Sequence, residues 1–222
     1  MIQNRFSVFL FLFVVFVAQP LFSALILAPV GTPTRAIQDL DHMLGQFHTG
    51  QNLTEEQKEQ NRRLKRHILT GTFDIEELTR LAFAKHWDEF KPDERKEMID
   101  LMISILEAQA IFSNEQQATK TKKSEKYRVV YRNEQFLNEK KTKALVKTMI
   151  LIPGENIEVA VSYRLRKMGG GWKVYDIIVD QASLIENYRY QFHSIITKDG
   201  VEELRKRMKK KLEEIQIKRG KK

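Results

Sequence analysis

Residues 172–192 read WKVYDIIVDQASLIENYRYQF, and the change of period inside this run decides the fold. Up to Asp180 it is dense in Val, Ile and Tyr, the composition of a strand. From Ser183, a sound helix N-cap, it continues as a helix to about residue 197. The run therefore predicts a strand, a turn and a helix, three pieces that form one corner of a mixed α and β domain.

Three more strands are expected upstream. Near residue 127, Tyr127, Val129 and Tyr131 alternate with Arg128, Val130 and Arg132. The next strands cover 143–152 and 155–166, and the fourth covers 171–180. In the third, Ile157, Val159, Val161, Tyr163 and Leu165 share one face, and Glu158, Ser162, Arg164 and Arg166 the other. Pro153-Gly154 and the run Met168-Gly169-Gly170-Gly171 suit antiparallel turns.

Helices flank this sheet. Residues 36–47 place Ile37, Leu40, Leu44 and Phe47 at helical spacing. Thr54 followed by Glu55, Glu56 and Gln57 opens a helix that ends before Gly71. Residues 73–87 form another, and Pro92 with Asp93 and Glu94 opens a long one. After Asp199-Gly200, the stripe Val201, Leu204, Met208, Leu212 and Ile215 packs while the lysines face water. The order predicts an α+β domain: an antiparallel sheet of about four strands with helices on one face.

The N-terminus is a targeting segment. Arg5 precedes an apolar run from Phe6 to Val17, broken by Gln19 and Pro20. Ala24 suits a cleavage site, but Phe22 occupies a position that wants a small residue. Two versions stay open, a cleaved leader and a retained anchor, since about 20 apolar residues span a bilayer. Either puts the folded part outside the cytoplasm. The expected division is 1–28 leader or anchor, 29–34 linker, 35–216 domain and 217–222 basic tail.

Composition narrows the chemistry. The 222 residues are 42% hydrophobic and 30% charged, as in a soluble domain with a core. No cysteine is present, which excludes thiolate metal sites, disulfides and cysteine nucleophiles. The net charge of +9 favours acidic partners, with many basic residues near the C-terminus. That tail lacks interleaved aromatics, so it reads as a solvated helix face or a membrane-docking one, not as a nucleic-acid site.

Catalytic patterns are absent. His42, His48, His67, His86 and His193 share no close ligand spacing. Gly169–Gly171 joins two strands and is a hairpin, not a phosphate cradle. Asp176 and Asp180 lie four apart on one strand; they read as an acid/base pair or as solvent-side aspartates beside basic neighbours. Ser183 reads as a cap. Arg189 reads as an anion clamp or as an ion-pair partner of Glu186 or Asp180.

The run 172–192 closely resembles a signature of the MlaC (toluene-tolerance) family, in which a W-K-V-Y-D strand leads through a turn into an N-Y-R-x-Q-F helix. Here these are Trp172 to Asp176 and Asn187 to Phe192. Phe73-Asp74, Leu78, Leu81-Ala82 and Trp87 resemble the family's upstream helix, and Pro92-Asp93-Glu94-Arg95 the start of the next. Gln181 stands where the family commonly has Gly, whose free backbone would allow a positive φ.

The resemblance implies an NTF2-like twisted sheet wrapped by helices around an apolar cavity. It also implies a non-enzymatic periplasmic shuttle holding a phospholipid by its acyl tails, with no other cofactor. Its partners would be an inner-membrane ABC transporter and an outer-membrane lipoprotein complex, with transient membrane-proximal contacts. Each buried methylene is worth about 0.8 kcal/mol, so such a cavity has only to replace the bilayer.

The expected lipid-facing residues on the sheet are Val146, Thr148, Ile150, Val159, Val161, Tyr163, Tyr175, Ile177 and Val179. On the helices they are Leu78, Leu81, Leu101, Ile105, Leu184, Tyr188 and Phe192. Three alternatives stand beside this reading: an NTF2-like enzyme using Asp176 or Asp180 as base, a ligand-free envelope adaptor, and a carrier of another apolar lipid such as a hopanoid.

Overall fold

A computed structural model describes residues 27–50, 52–118, 127–152 and 156–220. The expected leader up to residue 26, and the turn at Pro153-Gly154, lie outside the described residues. Among the described residues no helix is long and apolar enough to cross a membrane.

The chain runs α1 (Pro33–Leu44), α2 (Glu55–Thr72), α3 (Ile75–Phe83), a 3₁₀ segment (Ala84–Glu89) and α4 (Pro92–Ala118). It continues with β1 (Arg128–Phe136), β2 (Lys143–Ile152), β3 (Ile157–Met168), β4 (Gly171–Val179), β5 (Ala182–Ser183), α5 (Leu184–Asp199) and α6 (Val201–Gly220). The five strands form one antiparallel sheet in sequence order, because each connection is a short turn.

Local chemistry fixes most helix starts. Thr54 closes a full capping box with Gln57, and Ser183 accepts the Glu186 amide. Pro92 opens α4 where a missing N–H costs nothing. Three boundaries differ from expectation. α1 begins at Pro33, inside the stretch expected to be a linker, because Pro suits a first turn capped by Thr32. Gly71 is absorbed into α2, which stops only where Phe73 turns extended to bridge Val174 of β4. α3 tightens into 3₁₀ geometry after Phe83, before Trp87 is reached.

The sheet has two chemically different faces. On β2, Ala144, Val146, Thr148 and Ile152 are buried while Lys143 and Lys147 are exposed. Helices cover the first set: α1 lies on β1, β2 and β4, while α2, α3 and α5 pack against β4. α6 docks on α4 and α5 as an outer layer. Two of its basic residues serve that docking. Arg205 pairs with Glu94 and Glu97, and Lys209 with Glu97 at 2.8 Å. α6 also runs on to Gly220, so residues 217–220 extend the helix and are not a separate tail.

Candidate functional site: the helix-covered face of the sheet

Strand register places the predicted sheet residues in rows. Tyr131, Thr148, Val161 and Val179 are paired across four strands. Val146, Tyr163 and Ile177 form the next row, and Ile150 and Val159 pair beyond. Thr148 is buried and satisfied, donating its hydroxyl to the Val161 carbonyl at 3.0 Å.

Tyr175 breaks the alternation of β4. Arg164 pairs with Asp176 but Leu165 pairs with Val174, so Tyr175 is an extra residue in a β-bulge. The alternation resets there, and Val174 takes the place beside Leu165 that alternation assigned to Tyr175. The Tyr175 ring sits by Lys143, whose Nζ is 6.0 Å from the ring centroid.

The sixteen expected residues divide by accessibility. Leu78, Leu101, Ile105, Val146, Thr148, Val161, Tyr175 and Phe192 are buried. Leu81, Ile150, Val159, Tyr163, Ile177, Val179, Leu184 and Tyr188 keep partial exposure. Two of these are informative. Burial alone pushes the Tyr188 hydroxyl up to about 12. Burial first, then the charge of Asp41, raises that of Tyr163.

A polar cluster that the sequence did not signal lies between α1 and the sheet. Asp41 of α1 accepts the Tyr127 hydroxyl at 2.9 Å, and the hydroxyls of Tyr131 and Tyr163 feel its charge. Burial raises Asp41, and its bonds to the tyrosines pull it back. The tyrosines stay protonated at neutral pH and can donate. Tyr127 and Tyr131 at alternating-face spacing were the available signal, but Asp41 is 86 residues away from Tyr127.

A closed cavity of about 10 Å³ lies among Leu69, Leu78, Leu106, Tyr175, Ile177 and Leu184. It has room for one water at most. A wider trough of about 380 Å³ between α4 and α6 is open and edged by Asp93, Lys96, Glu97, Asp100 and Lys209, a poor setting for apolar chains.

The residues that looked most like chemistry are structural. Asp176 is not on the solvent side: it is 0% exposed. It accepts from Arg164 Nη1 at 3.0 Å, Ser183 Oγ at 2.8 Å and the Ile185 amide at 3.1 Å. The β4–β5–α5 corner folds over the outer face and buries it. Asp180 lies past the end of β4 and accepts the Ala160 amide at 3.2 Å. The two carboxylates have separate partners and do not form a pair. Arg189 makes neither expected ion pair; its Nε donates to the Leu81 carbonyl at 3.0 Å.

His86 and His193 also depart from the expected scattered surface histidines. Nε2 of His86 lies 2.9 Å from Nδ1 of His193, and His86 is buried. Among the described residues no group of three or more His, Asp or Glu is arranged to hold a metal ion.

A family model described as MlaC protein matches residues 38–210. Among solved structures, the phospholipid-binding protein from Ralstonia solanacearum, determined in complex with a phospholipid, aligns with a TM-score of 0.56 and 23% identity. The match covers 69% of this chain and 80% of that one. The expected NTF2-like α+β arrangement therefore stands, with five strands in place of about four. No curated protein matches the chain.

Proposed function

Because the chain belongs to the MlaC family, we propose that it is a periplasmic phospholipid-binding protein that carries lipid between membranes and performs no catalysis. The observation that carries this reading is the family match over residues 38–210, and the lipid-facing wall we propose is Tyr163, Ile177, Leu184 and Tyr188. These side chains are apolar or amphipathic, enclosed, and only partly covered.

Acyl chains need far more than 10 Å³, so the small cavity beside Leu69 and Leu78 is not where they lie. The partly exposed residues are the ones left free to meet them. The fully buried ones, such as Leu78 and Val146, hold the layers together. Loading exchanges one apolar environment for another and stays near balance, so partners can set direction. The family points to an inner-membrane ABC transporter complex and an outer-membrane lipoprotein complex as those partners. The apolar run 6–17 supports export, whether the leader is removed or kept as an anchor.

Native mass spectrometry of protein purified from an envelope fraction tests the reading. One bound phospholipid per chain is expected. Protein that carries no lipid, and takes none up from vesicles, would sink it. One competing reading is an envelope adaptor with a filled interior. That reading predicts the lipid-free outcome together with retained partner binding.

A further inference from the structure

The geometry points to the hairpin end of the sheet as a contact face for an anionic lipid bilayer. The β1–β2 and β3–β4 turns lie at the same end, since Lys143 at the start of β2 pairs with Arg166 near the end of β3. Lys167 ties the two turns together by donating its amide to the Thr142 carbonyl at 2.8 Å. The first described residues arrive at this end too, because Trp172 Nε1 donates to the Gly31 carbonyl at 3.0 Å.

Exposed apolar side chains concentrate there. Leu27, Val30, Phe136, Leu137 and Met168 are five of the eight large apolar side chains left exposed among the described residues. Val30 is 86% exposed, at the tip of a turn. None is needed to close the core, which already has Trp172 beneath Phe136 at 6.1 Å between ring centroids.

Cations ring these tips. Lys140, Lys141, Lys143, Lys167 and Lys173 belong to the two turns and their flanking strand ends, and Lys141 lies 5.6 Å from the centre of the Phe136 ring. The carboxylates nearby are mostly engaged. Asp74 and Glu77 hold Arg166 and Arg80, and Glu134 accepts from Thr34. Glu139 is left among the lysines. Apolar tips within a cationic ring match the headgroup zone of an anionic leaflet. The inference needs no bound lipid and goes beyond the carrier reading.

The chain has no cysteine, which allows single-site labelling. The full chain, with Leu137→Cys, Met168→Cys or, at the far end of the sheet, Glu158→Cys, would carry an environment-sensitive dye. It would be mixed with vesicles of phosphatidylcholine plus phosphatidylglycerol, some containing a brominated lipid quencher. The labels at 137 and 168 should shift to the blue and be quenched; the label at 158 should not. Vesicles of phosphatidylcholine alone should give a much smaller response.

The variant Lys140→Glu/Lys141→Glu/Lys167→Glu should weaken vesicle binding by tenfold or more, taking roughly fivefold per lysine near the surface. Lys206→Glu/Lys210→Glu on α6 should change it little. Unquenched tips, equal quenching at 158, or a native-like triple variant would overturn the inference, including the case where the N-terminal run alone holds the chain. The lipid content of the triple variant, read by mass spectrometry, reports separately on the carrier reading.

Discussion

The Ser183 hydroxyl donates to Asp176 at 2.8 Å while accepting the Glu186 amide at 3.1 Å. One side chain thus caps α5 and ties it to the buried carboxylate of β4. Asp176 in turn holds Arg164 and the Ile185 amide. The corner is fixed by three polar partners around a carboxylate with no exposed surface.

Asp176→Ala should cost about 2–4 kcal/mol, because it orphans a hydroxyl, an amide and one side of a guanidinium. Urea denaturation measures it. A loss below the error of the method would show that the corner is held by packing alone.

Asp176 also sets a pH dependence. Burial raises its carboxyl above 3.8, against the pull of the Ile185 amide, Ser183 and Arg164. The folded state therefore holds this proton more tightly than the unfolded chain. Its contribution is full below 3.8 and is lost as pH rises through the raised folded value. Asp176→Asn has no such titration, so its stability deficit should shrink as pH rises through that window. A deficit that grows with pH would show the opposite shift.

Gln181 adopts φ 74°, in the left-handed region, with Asp180 before it at 46°. Left-handed backbone costs a residue with a Cβ about 1–2 kcal/mol, and glycine gives back part of that in unfolded-state entropy. Gln181→Gly should raise Tm by about 2–4 °C, for a net gain of about 1 kcal/mol. An unchanged or lowered Tm would place the strain elsewhere.

The core and the proposed wall should respond differently to substitution. Leu78→Ala should destabilise by about 2–5 kcal/mol while each folded chain keeps its lipid. Ile177→Trp or Leu184→Trp should instead lower bound lipid with a smaller change in Tm. Thermal melts and lipid mass spectrometry on the same samples separate the two. Equal lipid loss at all three positions would remove the distinction.

His193→Ala breaks the bond to His86 and leaves that buried ring with Glu89. A loss of about 1 kcal/mol is expected, seen as a lower urea midpoint at unchanged slope.

The order of elements and most helix starts were legible because they depend on near neighbours. Thr54 with Gln57, Pro92, and Ser183 with Glu186 act within three or four residues of chain. The sides of β3 were legible from its alternation of apolar and polar residues. The misreadings came where distant chain intervenes. The bulge at Tyr175 broke the alternation of β4, and the α5 corner buried an aspartate expected in solvent.

The sequence by itself determined an α+β chain, its strand and helix order, its caps, and a family signature in residues 172–192, because periodicity and capping are local properties. Only the tertiary structure decided which apolar residues are sealed core and which stay partly exposed. Leu78 and Leu184 are the same residue type on neighbouring helices, yet one is buried and the other partly open. Only tertiary structure brought Asp41 to Tyr127 and His86 to His193. Accessibility and long-range pairing depend on what the rest of the chain lays on top, and no local pattern contains that.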